Sequence, residues 1–200
     1  MNTAICLDLD GTITREEILP KIAKHLKIHE EIETLTQATI KGLIPFESSF
    51  KLRVRLLKDF PITSVQESLK SLVLYEGICA LIKNFPENFF IVTGNLDVWV
   101  SDVIARIGAQ SFTSIAEIQS GEVTGITKIL NKGEAVKTLR NKFQKIIAVG
   151  EGMNDVPMFE AADIAIAYGA THQPVKTALE LCDLAIYDEE TLCRLLRTLL

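Results

Sequence analysis

The sequence predicts an α/β fold, a doubly wound parallel sheet with a small helical domain inserted after its first strand. Three observations predict it. Short apolar runs recur along the chain, helix-patterned stretches separate them, and one strand-free stretch breaks the alternation.

Ala4-Ile5-Cys6-Leu7 continues through Asp8 and Leu9 into Asp10-Gly11-Thr12 and reads as a buried strand ending in a turn. Phe89 to Val92, Ile146 to Val149 and Ile164 to Ala167 look alike, and Leu184 to Ile186 is a weaker fifth run. Apolar strands without alternation suit a sheet covered on both faces, which is a parallel sheet. Between them, Leu96 to Ile107 sets Val100, Val103, Ile104 and Ile107 on one helical side. Asn131 is placed to cap a helix, with Glu134 completing a capping box. The chain closes with an amphipathic helix from Glu189 onwards.

Residues 15–74 hold only helical patterns, with breaks near His29, at Gly42 to Pro45 and at Pro61, and a further capping box at Ser64 and Glu67. They are expected to form a helical cap domain on a core of residues 1–14 and 75–200. Gln110 to Ile126, with Gly121 between two β-like segments, reads as a hairpin excursion.

Composition narrows the function. With 48% hydrophobic and 24% charged residues, the chain of 200 residues is too apolar to be disordered. Its net charge of −5 argues against sequence-independent nucleic-acid binding, and no apolar run nears the roughly 18 residues that span a bilayer. No secretory leader is expected, because Asp8 and Asp10 interrupt the first apolar stretch. Cys6, Cys79, Cys182 and Cys193 lack metal-site spacing and are expected as buried, reduced thiols in a cytoplasmic protein.

In an open parallel sheet, ligands bind beyond the carboxyl ends of the strands. Those ends deliver Asp8, Asp10 and Thr12; then Thr93, Gly94 and Asn95; then Gly150, Glu151, Gly152, Asn154 and Asp155; Lys132 opens the intervening helix. Two aspartates one residue apart cannot point the same way in extended chain. One is placed as a nucleophile and the other as a proton donor and acceptor. Carboxylates crowded in a crevice call for a divalent cation, and oxygen-only ligands suit Mg²⁺. Thr93, backbone N–H groups near Gly11 and Gly94, and the Lys132 amine are donors for an anion. These are parts for phosphoryl transfer through an aspartyl-phosphate.

Asp8-Leu9-Asp10-Gly11-Thr12 resembles the first motif of the haloacid dehalogenase-like phosphatases, whose core is Rossmann-like. Thr93 resembles the second, Lys132 the third, and Gly150-Glu151-Gly152-Met153-Asn154-Asp155 the fourth. The insertion is similar to the small helical cap of the phosphoserine phosphatases. The resemblance implies Asp8 as nucleophile and Asp10 as general acid and base. It implies that Thr93, Gly94, Lys132 and Asn154 hold the phosphate and that Asp155 orients Lys132. Asp8, the Asp10 carbonyl and Glu151 would hold Mg²⁺. It also implies Glu17 for a substrate amine, Phe46 as a cover and Arg53 for a substrate carboxylate, the partner being a small phosphorylated metabolite.

This chain departs from the family at Glu151, where aspartate is usual, and at Asn95, where the phosphoserine enzymes usually carry glycine. Three alternatives follow: a different small phosphate, transfer to an alcohol instead of water, and a metal-impaired binder of phosphorylated ligands. Plainer roles compete residue by residue. Asp8 and Asp10 suit a turn, Lys132 a solvated helix start, and Arg53 a charged face with Lys51, Arg55 and Lys58. Phe46 suits cap packing, and Glu16 rivals Glu17. His25 and His29 are expected at the surface, and Trp99 in the core.

Overall fold

The computed structural model describes residues 2–40 and 43–200. At its centre lies β1 (Thr3–Leu7), flanked by β2 (Phe89–Leu96) and β5 (Lys145–Gly150). Outward from β2 come β3 (Gln110–Gln119) and β4 (Glu122–Lys128); outward from β5 come β6 (Ile164–Tyr168) and β7 (Leu184–Ile186). The seven strands run in the order β4-β3-β2-β1-β5-β6-β7, with β4 alone antiparallel to its neighbour.

Alternate residues of each central strand enter different cores, as the period-two geometry of a strand requires. Ile5, Leu7, Phe89, Ile91, Ile147 and Val149 join one cluster with α5 (Glu76–Asn84), α6 (Asp97–Ile107) and α10 (Glu189–Leu199). Ala4, Cys6, Phe90, Val92, Ile146 and Ala148 join the other, with α7 (Lys132–Leu139), α8 (Val156–Ala161) and α9 (Lys176–Leu181). Both faces of the sheet are covered, which is why the runs do not alternate with polar residues.

Residues between β1 and α5 fold as α1 (Ile18–Leu26), α2 (His29–Ile40), α3 (Phe46–Leu57) and α4 (Ile62–Leu69). The chain leaves the sheet and returns to it at one place. Thr14 and Leu74 form an isolated antiparallel bridge, flanked by Arg15 N–H donating to the Val73 carbonyl (3.0 Å) and Tyr75 N–H to that of Ile13 (2.9 Å). The first break falls at Lys27, which ends α1 in the left-handed region at φ 63°. Of the second break, Gly42 lies outside the described residues.

Some local expectations need correction. The helix expected to be capped by Ser64 begins three residues earlier at Ile62, with Pro61 fixing the entry backbone, so Ser64 sits inside its first turn. Asn131 does cap α7, accepting from Gly133 N–H, but Glu134 closes no box and pairs with Lys137 at 2.8 Å. β2 does not stop at Val92. It runs through Thr93, Gly94 and Asn95 to Leu96, where β3 picks up a shifted register and the Ser114 hydroxyl donates to the Gly94 carbonyl at 2.7 Å. Residues 110–128 form the expected hairpin, and they also extend the main sheet.

All four cysteines are free; Cys182 is half-buried and the other three are buried. Trp99 is buried in the core, and His25 and His29 are exposed. Among the described residues, no helix is long and apolar enough to cross a membrane.

Candidate active site

The carboxyl ends of β1, β2, β5 and β6 open into a cavity of about 380 Å³ whose opposite wall is formed by α2 and α3. Asp8, Asp10, Glu17, Phe46, Arg53, Gly94, Asn95, Glu151, Asn154 and His172 all line it. Of the residues singled out from sequence, Thr93, Lys132 and Asp155 do not line it but lie buried against the strand-end residues Asn95, Asp8 and Glu151 that do.

The floor is a buried ionic cluster. Lys132 Nζ lies 2.5 Å from Asp8 Oδ1 and 2.6 Å from Asp155 Oδ1, and all three side chains are almost wholly buried. Asp155 Oδ2 accepts N–H bonds from Glu151 (2.9 Å) and Gly152 (2.8 Å), so both of its oxygens are engaged. Asp8 Oδ1 also accepts the Leu9 N–H at 2.7 Å, while Oδ2 has no hydrogen-bond partner among the described residues. Burial, with Asp155 nearby, raises the Asp8 pKa well above the usual carboxylate range despite Lys132. Burial alone would pull the Lys132 amine down, but Asp155 and Asp8 outweigh it and keep the ammonium charged.

Glu151 adds another buried carboxylate. Its Oε2 accepts the Thr12 hydroxyl at 2.8 Å, and its Oε1 lies over Gly11, where a Cβ would collide with it. Gly11, at φ 68°, thus supplies both the left-handed turn and the space for the longer glutamate side chain. Oxygens of Asp8, Glu151 and Asp155 come within 4.8 Å of one another. Burial first, then Asp8 and Asp155, raise the Glu151 pKa. Three carboxylates against one lysine leave uncompensated charge, which fits a small hard divalent cation. With Asp155 already engaged, Asp8 and Glu151 are the side chains positioned to bind it.

Asp10 faces the same space from the turn after β1. Its Oδ1 accepts the N–H of Ile18, the first residue of α1, at 2.8 Å, tying the turn to the inserted helices. Its Oδ2 accepts from Asn95 Nδ2, which also donates to Thr93 Oγ1 at 3.0 Å. Burial and the neighbouring Glu17 push the Asp10 pKa up to about 7, the range suited to a group that gives and takes a proton near neutrality.

The facing wall is built differently. Phe46 sits on Gly94 so closely that a Cβ there would strike its ring, and it stacks on Phe50 with centroids 5.6 Å apart. Arg53 is 6% exposed, yet no carboxylate of the described residues lies within ion-pair distance. Among the described residues its single hydrogen bond is a long one, Nη1 to Thr36 Oγ1 at 3.4 Å, and its buried Nε has no partner. Burial lowers the Arg53 pKa, while Asp10 and Glu17 oppose the shift. A buried guanidinium without an anion is costly unless a ligand supplies one.

Sequence reasoning missed His172. It follows β6 on a loop, and its Nε2 lies 3.3 Å from Glu17 Oε1. Its signal in the sequence is its place just beyond the carboxyl end of β6, where ligands to a parallel sheet bind. Asn95 stood out only as a departure from a pattern; its bridge between Asp10 and Thr93 emerges from the fold.

A family-wide profile described as "Hydrolase: haloacid dehalogenase-like hydrolase" matches residues 3–163. Phosphoserine phosphatase of Methanocaldococcus jannaschii is 29% identical over 192 residues, covering 89% of this chain and 90% of that one. A substrate-bound phosphoserine phosphatase complex superposes with a TM-score of 0.84 at 26% identity, covering 99% and 98% of the two chains. A phospho-aspartyl intermediate analogue of phosphoserine phosphatase gives 0.82 at 26% identity, covering 98% of each chain.

Proposed function

Because this chain belongs to the haloacid dehalogenase-like hydrolases, we propose that it is a phosphatase of small phosphomonoesters that takes phosphoserine through a phosphorylated Asp8. The observation that carries the reading is the contrast across the cavity. A buried carboxylate with one unengaged oxygen faces a buried arginine that has no anion. A ligand with a phosphate at one end and a carboxylate at the other satisfies both.

Residues 1–14 and 75–200 are the catalytic core in this reading, and 15–74 the cap. Asp8 attacks phosphorus as the ester oxygen leaves with its bonding pair, and Asp10 gives that oxygen its proton. The aspartyl-phosphate is then hydrolysed by a water whose proton passes to Asp10, releasing phosphate and restoring Asp8. A carboxyl with a pKa near 7 serves both halves. Lys132 and the N–H of Gly94 stabilise charge on the phosphoryl oxygens, with Asn154 at the rim and Asp155 holding Lys132 in place. Thr93 contributes a directed donor: its oxygen accepts two bonds from Asn95, at 3.2 Å from the backbone and 3.0 Å from the side chain, which frees its hydrogen for phosphate. Asp8, Glu151 and the Asp10 carbonyl would hold Mg²⁺, which when bound neutralises phosphoryl charge.

At the far end, Arg53 grips the substrate carboxylate, Glu17 receives its ammonium and Phe46 covers it. Free cysteines support a reducing, cytoplasmic setting. The test is phosphate release from phosphoserine with Mg²⁺, beside Asp8→Asn. Wild-type turnover with at least about a 1,000-fold loss in the variant is expected. Turnover surviving the substitution overturns the nucleophile, and an alcohol added as competing acceptor separates transfer from hydrolysis.

A further inference from the structure

Glu17 and His172 both line the cavity and meet there, from distant parts of the chain. Glu17 is the residue before α1, and His172 lies on the loop between β6 and α9. Their contact is 3.3 Å, with the histidine side chain 42% and the glutamate 25% exposed. His172 is also packed on the turn after β1, with its Cδ2 3.1 Å from where a Gly11 Cβ would lie. It is therefore seated against the site and does not simply hang in solvent.

We propose that His172 is a specificity-determining residue: by pairing with Glu17 it places a resident cation in the subsite for the substrate's amine, which relaxes the demand for that amine. The inference rests on the phosphoserine reading above. A carboxylate standing alone at that position would strongly prefer an ammonium, which brings a full opposite charge, over a neutral hydroxyl, which offers it only a hydrogen bond. With an imidazolium already on Oε1, an incoming ammonium meets a nearby like charge and gains less from Glu17. A neutral hydroxyl escapes that repulsion. It can donate to Glu17 Oε2, which has no partner among the described residues, or accept from the imidazole. The hydrogen bond to Glu17 holds the His172 pKa above its usual value, and Asp10 and Glu33 add to the effect. The site then admits phosphorylated 2-hydroxy acids alongside the amino acid, while Arg53 still reads the carboxylate common to both.

The experiment compares kcat/KM for phosphoserine and for 3-phosphoglycerate, its 2-hydroxy counterpart, with Mg²⁺ at pH 6.5. Wild type, His172→Ala and His172→Lys are measured side by side. The partly exposed pair is screened by water, so a change of about fivefold to tenfold is expected. His172→Ala raises the phosphoserine to phosphoglycerate ratio by that factor, and His172→Lys, which restores a cation, keeps it near the wild-type value. A ratio unmoved in His172→Ala, or a lysine variant that tracks the alanine one, overturns the proposal. Failure of wild type to hydrolyse either substrate overturns the phosphoserine reading instead. A merely structural histidine would lower both activities together and leave their ratio unchanged.

Discussion

The two walls of the cavity differ in how they treat charge. On the floor, Lys132, Asp8 and Asp155 partner one another at 2.5 and 2.6 Å, with backbone N–H groups completing the set. On the facing wall, Arg53 is nearly as buried and, among the described residues, has only one long bond to Thr36. On the floor Lys132 and both oxygens of Asp155 are engaged without ligand, so the seat of Asp8 is fixed before chemistry begins. What is left open there is one Asp8 oxygen and an excess of negative charge for a cation. The wall is left wanting, and its arginine is satisfied only when an anion arrives. One region is built for a reaction, the other for recognition.

The largest way to break that contrast is to remove the cation from the floor. Lys132→Met leaves Asp8 and Asp155 buried beside each other without compensation. We expect a loss of about 3–5 kcal/mol in urea unfolding, together with activity down by at least about 100-fold. Pairing it with Asp8→Asn should recover part of the stability and none of the turnover. Unchanged stability in Lys132→Met would mean the cluster is not the floor's support.

How far the sequence reveals these walls follows the same divide. Asp8, Asp10, Lys132 and Asp155 were legible because each follows a strand or opens a helix whose apolar pattern is plain, and sheet topology gathers strand ends. The wall residues depend on how helices outside the sheet pack, which local periodicity does not encode. Phe46 and Arg53 are reachable only through resemblance, and His172 only as a residue beyond the end of β6, with nothing local to mark its partner. Its pairing with Glu17 spans most of the chain and requires the β6–α9 loop to fold back over Gly11. The misplaced cap at Ser64 has a similar cause: Pro61 fixes the start of α4 before a serine hydroxyl can.

Substituting Arg53 sharpens the comparison from the other side. Arg53→Met removes a buried charge whose Nε is unpartnered, so thermal stability should hold or rise. KM for phosphoserine should rise about 10- to 100-fold, with kcat changing much less. Arg53→Lys should not rescue it, because an ammonium cannot offer two parallel donors to a carboxylate. A fall in kcat with KM intact would move Arg53 from recognition to the reaction itself.

The smallest expected effect is on stability against pH in metal-free protein, and it too separates the walls. Burial raises Asp8, Glu151 and Asp10 above the usual carboxylate range, Asp10 to about 7. Their unfolded values lie near 4. Between those limits the folded chain binds more protons than the unfolded one, so stability falls as pH rises and is lost through the folded pKa. His172, also raised, acts in the same direction. With a chelator present, the melting temperature should therefore rise by a few degrees from pH 7.5 to pH 5.5. Asp10→Asn should flatten that slope. Saturating Mg²⁺ should abolish or reverse it, because a cation favours the deprotonated carboxylates that protons otherwise neutralise. Arg53→Met should leave the slope largely in place, since the guanidinium stays charged throughout this range. A flat profile in the chelated wild type would mean that the floor's carboxylates carry less strain than their burial implies.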